Sequence, residues 1–275
     1  MKIVVYGLGI IGASLAAALK KAGHLVLGKN RSREPLEYAL EHDMIDAVAE
    51  DYDGADVIFL ALPPRVAMRE LDEGKFPAGC IVADICGVKE PLENAAFSKP
   101  RVYRYVGTHP MAGKETSGIR SASDTLFCGA NLVLTRAAQT DESAFAAVRA
   151  LGKDAGFGRI IECSAKEHDK MIALTSQLAH VVANSYVTSP LTENCVGFTG
   201  GSFQDMTRVA PVDEKVWSRL YMLNLPAVTE ELETLIGHLS QYLDALRAGD
   251  EKALQSLLRE GRERKEVLDR EKKIL

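Results

Sequence analysis

The chain predicts an α/β domain built on a doubly wound parallel sheet, followed by an all-helical domain. Three observations predict it. Short apolar runs alternate with helical stretches through the first 164 residues, the first of these runs leads straight into a glycine triplet, and beyond Ser164 the runs give way to long helical patterns. The expected domains are therefore residues 1–164 and 165–275.

Each run has its own justification. Residues 2–6 (KIVVY) are apolar and β-branched, and a helix over 13–22 follows them. Further strands are expected at 24–27, 55–62, 80–85, 102–106 and 131–135, with 159–163 closing the domain. In 102–106 the strand should stop near Pro110, which lacks the N–H a ladder needs. Helices are expected over 165–188, 213–248 and 250–273. The second of these carries Val216, Leu220, Leu223, Leu225, Val228, Leu232, Leu235, Ile236, Leu239 and Leu243 at spacings of mostly three or four. Such a stripe must be covered, by the domain's own core or by a second copy, and it predicts a homodimer.

Composition narrows the function. With 47% hydrophobic residues in 275, the chain can bury a substantial core. A net charge of -5 gives no global reason to bind nucleic acid or an anionic membrane, so a small-molecule substrate is the expectation. Five cysteines form no C-x-x-C pair, which predicts neither a disulfide framework nor a metal site and fits a reducing cytoplasm. Residues 3–19 are uncharged, but three glycines interrupt them and no basic flank precedes them; they read as fold and not as a signal or membrane span.

The glycine triplet Gly7-Leu8-Gly9-Ile10-Ile11-Gly12 follows a strand and opens a helix, the context that a Rossmann-like dinucleotide-binding domain requires. Gly7 permits the tight turn, Gly9 lets the backbone approach a pyrophosphate, and Gly12 lets helix and strand pack closely. Where the second strand ends, NAD enzymes usually place an acid; here the chain reads Asn30-Arg31-Ser32-Arg33. A carboxylate about 4 Å from a phosphate would repel it by roughly 4 kcal/mol at an effective dielectric of about 20. Its absence, with two arginines beside it, predicts NADP as the preferred cofactor and NAD as the lesser one. Leu62 and Pro63 end a strand on the same edge and are further cofactor-lining candidates.

His109 ends the strand over 102–106 on that same edge, where a histidine can take a hydroxyl proton as hydride leaves the adjoining carbon. A histidine capping a loop would look identical in sequence. His180 lies on an apolar helix with Gln177 and Asn184 on its face, a polar stripe that belongs either to a buried hydrogen-bond network or to one wall of a cleft. Arg208 follows the Gly200-Gly201 loop and is suited to a carboxylate, or is simply an exposed arginine at a helix start.

Taken together these residues resemble the prephenate/arogenate (cyclohexadienyl) dehydrogenase family of tyrosine biosynthesis. The resemblance rests on Gly7–Gly12, Asp84-Ile85-Cys86-Gly87-Val88-Lys89, His109-Pro110-Met111-Ala112-Gly113 with Glu115 and Gly118, Glu167-His168-Asp169, Ser176-Gln177-Leu178-Ala179-His180, and Asp205-Met206-Thr207-Arg208 followed by Trp217. It implies oxidative decarboxylation of prephenate to 4-hydroxyphenylpyruvate, or of arogenate to tyrosine, with hydride transfer to the nicotinamide. By the same resemblance His109 would take the ring hydroxyl's proton, and Arg208, helped by His180, would hold the ring carboxylate. Glu115 and Asp205 would shape access, and the helical domain would form the dimer. Glu115 and Asp124 are the acids that could greet an amino-acid side chain.

The chain departs from the family pattern at Gly87, where a serine commonly helps orient the reacting hydroxyl, and at Ala179, where a proline is common. It also has no stretch for an added regulatory or mutase domain, so feedback through such a domain is not expected. The competing readings are a β-hydroxyacid dehydrogenase or pyrroline-carboxylate reductase of similar plan, and a nucleotide sensor without turnover. The first two families lack the His-Pro-Met-Ala-Gly stretch; the third would function without His109.

Overall fold

The structure, a computed structural model, describes residues 1–113, 116 and 118–274. Among them, strands β1 (Lys2–Tyr6), β2 (Leu25–Lys29), β3 (Ala47–Val48), β4 (Val57–Leu60), β5 (Ile81–Asp84), β6 (Arg104–Met111), β7 (Asn131–Thr135) and β8 (Arg159–Cys163) form one sheet. Its order is β3-β2-β1-β4-β5-β6-β7-β8. The helices are α1 (Ile10–Lys21), α2 (Arg33–Glu41), α3 (Pro64–Glu73), α4 (Glu90–Phe97), α5 (Glu142–Asp154), α6 (Ala165–Ile172), α7 (Leu178–Val187), α8 (Gly201–Thr207), α9 (Glu214–Leu223), α10 (Leu225–Ala248) and α11 (Glu251–Ile274). They divide between two compact units, residues 1–175 with 212–224, and residues 176–211 with 225–275.

In the first unit the two-residue period of the strands sorts the core. Along β1, Ile3 and Val5 join Leu15, Leu19, Val57, Phe59, Val148 and Leu151 on one face of the sheet. Val4 faces the other way, with Ile58, Leu60, Val82, Leu71, Leu92 and Tyr105. Helices α1 and α5 thus cover one face and α3 and α4 the other, as expected of a sheet buried on both sides. Seven of these strands were expected and β3 was not, and the uniform direction was not borne out. β1, β2, β3, β4, β5 and β6 run parallel, and β7 pairs antiparallel with β6 before β8 continues parallel to β7. The described part of the β6–β7 connection holds only the short 3-10 turn Ile119–Ser121. Without a crossover helix, the chain returns beside the strand it has just left.

A second correction concerns Pro110, which does not end its strand. β6 runs on to Met111, with His109 opposite Val133 and Pro110 opposite Leu132. Its pairing with β5 stops at Gly107 opposite Asp84, so past that point one flank of β6 has no ladder to break and tolerates a residue without an N–H.

Two expected helices are interrupted. Between α6 and α7 the backbone widens into a π-turn over Ala173–Gln177. The expected helix 213–248 breaks at Asn224, which is buried and donates its side-chain amide to the Asp169 carbonyl at 2.9 Å. Pro226, second residue of α10, can start a helix but cannot continue one. In the second unit α7 packs on α8 and α10, and α10 on α11. Among the described residues no helix is long and apolar enough to cross a membrane.

Candidate active site

The glycine loop is held by contacts that admit no side chain at two of its three glycines. Gly7 has φ +103°, and a Cβ there would lie 2.1 Å from the Ala61 carbonyl oxygen; one on Gly12 would lie 1.9 Å from the Gly7 carbonyl oxygen. Both glycines let the loop, α1 and the end of β4 interlock, which brings Leu62 and Pro63 beside it. Gly9 is different, because a Cβ there would meet nothing within 4 Å. Its face is open at the N-terminus of α1, where no side chain caps the first turn. Unpartnered N–H groups and the positive end of the helix suit a pyrophosphate. The residues present therefore fit a dinucleotide.

Asn30 pins this loop: its Oδ1 accepts the Leu8 N–H at 3.1 Å and its Nδ2 donates to the Ser32 carbonyl at 3.0 Å. Its neighbour Lys29 is committed elsewhere, with Nζ on the Glu50 carbonyl and over the rings of Tyr6 and Tyr52. Arg31, Ser32 and Arg33 are exposed, and Arg33 pairs with Glu37 at 2.8 Å.

His109 stands on the antiparallel half of β6, at the C-terminal edge of the parallel strands. Its Nδ1 lies 2.8 Å from Nε2 of His168, whose Nδ1 lies 2.7 Å from Oδ1 of Asp169. Asp169 is fixed in turn by two backbone donors at the start of α4, Lys89 N–H to Oδ1 at 2.7 Å and Glu90 N–H to Oδ2 at 2.9 Å. His168 and Asp169 are both buried near the start of α6, which begins with a capping box between Ser164 and Glu167. On the other side of the ring, a Cβ on Gly87 would lie 3.6 Å from His109 Nε2. Gly87, where the chain departs from the resemblance, therefore faces His109 Nε2.

Beneath this row lies a buried ion pair. Lys89, wholly buried, places Nζ on Asp84 Oδ1 and on the Thr108 carbonyl, the latter at 2.5 Å. Asp84 also accepts the Tyr105 hydroxyl at 2.6 Å and the Cys86 N–H at 2.8 Å, so its carboxylate is fully engaged. Burial pushes the Tyr105 phenol well above its ordinary range, with Asp84 adding to the effect, and it stays a donor. Burial first, then His168 and the positive Lys89, hold His109 well below its ordinary value of 6.5. His168 is also held down by burial, against the opposing pull of Asp169. At neutral pH both rings are uncharged.

The other candidates lie in the second unit. His180 Nδ1 donates to the Val209 carbonyl at 2.7 Å, and Asn184 Nδ2 donates to the carbonyls of His180 and Ala210 at 3.1 and 3.0 Å. The polar stripe on α7 thus ties that helix to the segment after α8. Gln177 is buried. Asp205 and Arg208 are exposed, and Arg208 stands at the end of α8, which does not match the alternative of an arginine at a helix start. Asp124 is engaged by Lys21 at 2.6 Å. Glu115 lies outside the described residues.

Sequence reasoning quoted His168 and Asp169 but gave them no role, and it missed Lys89 and Asp84 as a pair. Two charged residues five apart at the end of an otherwise apolar strand were the available signal. Among the described residues no group of three or more His, Cys, Asp or Glu side chains could hold a metal ion.

Comparison with known proteins gives consistent matches along the chain. The family model described as prephenate dehydrogenase, nucleotide-binding domain, matches residues 15–162, and that described as prephenate dehydrogenase, dimerization domain, matches 164–260. The cyclohexadienyl dehydrogenase of Zymomonas mobilis is 30% identical over 277 aligned positions, covering 90% of this chain and 89% of that protein. Among solved structures, Synechocystis arogenate dehydrogenase superposes with a TM-score of 0.84 at 27% identity, covering 98% of this chain and 100% of its own. The prephenate dehydrogenase of A. aeolicus, solved with hydroxyphenyl propionate and NAD+, shares the fold with a TM-score of 0.82 at 24% identity, covering 97% and 98%.

Proposed function

Because the chain belongs to the prephenate dehydrogenase family, its reaction is the oxidative decarboxylation of prephenate or arogenate, and we propose that His109 is the base in that reaction. The observation that carries the proposal is the surroundings of one ring. His109 is backed on Nδ1 by two buried residues, open on Nε2 toward Gly87, and kept uncharged by its surroundings. An uncharged imidazole with one free nitrogen at a sheet edge is equipped to take a hydroxyl proton.

The nicotinamide cofactor, when bound, accepts the hydride. Gly7 and Gly12 shape the loop for it, Gly9 leaves room for the pyrophosphate, and Asn30 holds the loop in place. We propose NADP over NAD: Arg31 and Arg33 carry exposed positive charge where NAD enzymes usually carry an acid. His180 and Arg208 are proposed to receive the ring carboxylate, with Gln177, Asp205 and Glu115 contributing polar contacts, on the strength of the family resemblance. Ile236, Leu239 and Leu243 on α10 are 53%, 57% and 46% exposed, and we propose that a second copy covers them.

The test is cofactor reduction by the purified protein, with prephenate and arogenate each paired with NADP and NAD. Turnover in at least one pairing, faster with NADP, is expected. No turnover in any pairing, with cofactor binding intact, would refute the reading.

A further inference from the structure

We propose that His168 and Asp169 are positioning residues that decide which nitrogen of His109 meets the substrate, and that they hold the proton His109 takes until the product needs it. This deepens the dehydrogenase reading and rests on it. Donors and acceptors alternate along the row in only one way. A carboxylate oxygen has only lone pairs to offer, so the 2.7 Å contact with Asp169 requires the proton of His168 to sit on Nδ1. A neutral imidazole with its proton there has a lone pair on Nε2. That lone pair lies 2.8 Å from His109 Nδ1, which must therefore carry the proton of its own ring. His109 Nε2 is then the bare nitrogen, and it is the one facing the open side at Gly87.

Asp169 cannot easily turn out of this arrangement. Its two oxygens also accept the N–H groups of Lys89 and Glu90, donors that cannot become acceptors. The groups facing the His109 ring are His168 from α6 and Lys89 from the turn before α4; Asp84 and Asp169 act on it through them. The sequence of fixed bonds runs from the start of a helix to the reacting nitrogen without a free rotor.

The proton is borrowed. As the ring carbon gives up hydride to the cofactor, the hydroxyl O–H bond breaks, its electron pair forms the carbonyl, and the proton bonds to His109 Nε2. When the ring carboxylate leaves as carbon dioxide, the C–C bonding pair completes the aromatic ring and the oxygen becomes a phenolate that takes a proton back. No proton is released overall. In between, His109 Nδ1–H can pass to His168 Nε2, leaving the positive charge on the ring that touches Asp169.

The row can be read without substrate, by 15N NMR of the histidine side chains in the full-length protein at neutral pH. The expected result is His109 with its proton on Nδ1 and a lone pair on Nε2. His168→Leu should release that choice, so that the other tautomer appears, and should lower kcat about 100-fold with cofactor affinity unchanged. His168→Gln offers an amide oxygen to His109 Nδ1–H and should restore the wild-type tautomer and at least a tenth of the rate. The proposal is overturned if wild-type His109 carries its proton on Nε2, or if His168→Leu turns over like wild type. Absence of turnover by the wild-type protein with either acid would sink the dehydrogenase reading instead, while the NMR result would still judge the row itself.

Discussion

Replacing Lys89 by Met should be the most damaging single change in the first unit that leaves its shape intact. The Lys89 side chain is fully buried and its ammonium meets Asp84 and the Thr108 carbonyl; Met fills nearly the same volume without the charge. What remains is a buried Asp84 carboxylate with the Tyr105 hydroxyl and the Cys86 N–H but no counter-charge. Removing one member of a buried pair costs about 3–5 kcal/mol. At about 2–4 °C per kcal/mol for a unit of this size, the melting temperature should fall by roughly 6–20 °C. The double variant Lys89→Met/Asp84→Asn removes the stranded charge while keeping an acceptor for Tyr105, and should recover more than half of the loss. The positive charge of Lys89 also helps hold His109 low, so its removal should move the acid limb of kcat/KM to higher pH. Thermal denaturation of the two variants decides the matter. A fall below about 3 °C for the single variant, or a double variant no more stable than the single, would refute the account.

Other outcomes are expected from the same geometry. Gly87→Ser should fold normally, since its Cβ makes ordinary contact with the His109 ring, and a hydroxyl reaching Nε2 or the substrate should raise kcat/KM about 2- to 10-fold; a loss beyond fivefold would mean that substrate fills that space. Because His109 titrates well below 6.5, kcat/KM should stay flat from pH 8 down past 6.5 and fall only below that. The same depression means the unfolded chain binds protons that the folded one refuses, so stability should decline as pH drops below about 6.5; a rate that already halves near pH 7 would contradict both statements. Arg31→Ala with Arg33→Ala should raise KM for NADP about 10-fold or more and change that for NAD less than twofold, read by steady-state kinetics. Leu239→Glu should yield monomers by light scattering, and an unchanged dimer would place the interface elsewhere.

The sequence made the strands and the glycine loop legible because both are local: an apolar run, a turn and a helix start lie within a dozen residues. Strand direction was legible only indirectly. Nothing in β7 itself says that it opposes β6, but the missing helical pattern before Asn131 does, and the uniform sheet was expected because that absence went unread. Pro110 misled for a related reason, since a proline's cost depends on whether a neighbour needs its N–H, and β5 had already ended. His109 was singled out because it follows a strand in line with the glycine loop. Its support was not, because His168 lies 59 residues away, on a helix whose start is already explained by Ser164 and Glu167. The break at Asn224 likewise depends on a partner 55 residues earlier, which no helical period can report.

β6 is a strand with two allegiances, parallel to β5 up to Gly107 and antiparallel to β7 beyond it. His109 stands on the part that only β7 holds, while Thr108 beside it is tied to the Asp84 carbonyl by its hydroxyl and to Lys89 by its own carbonyl. His109 is thus carried by the same ladder that closes the sheet and not by a loop laid over it. Loosening the ring should accordingly require opening of the sheet itself, so heat is expected to release His109 only when the first unit melts.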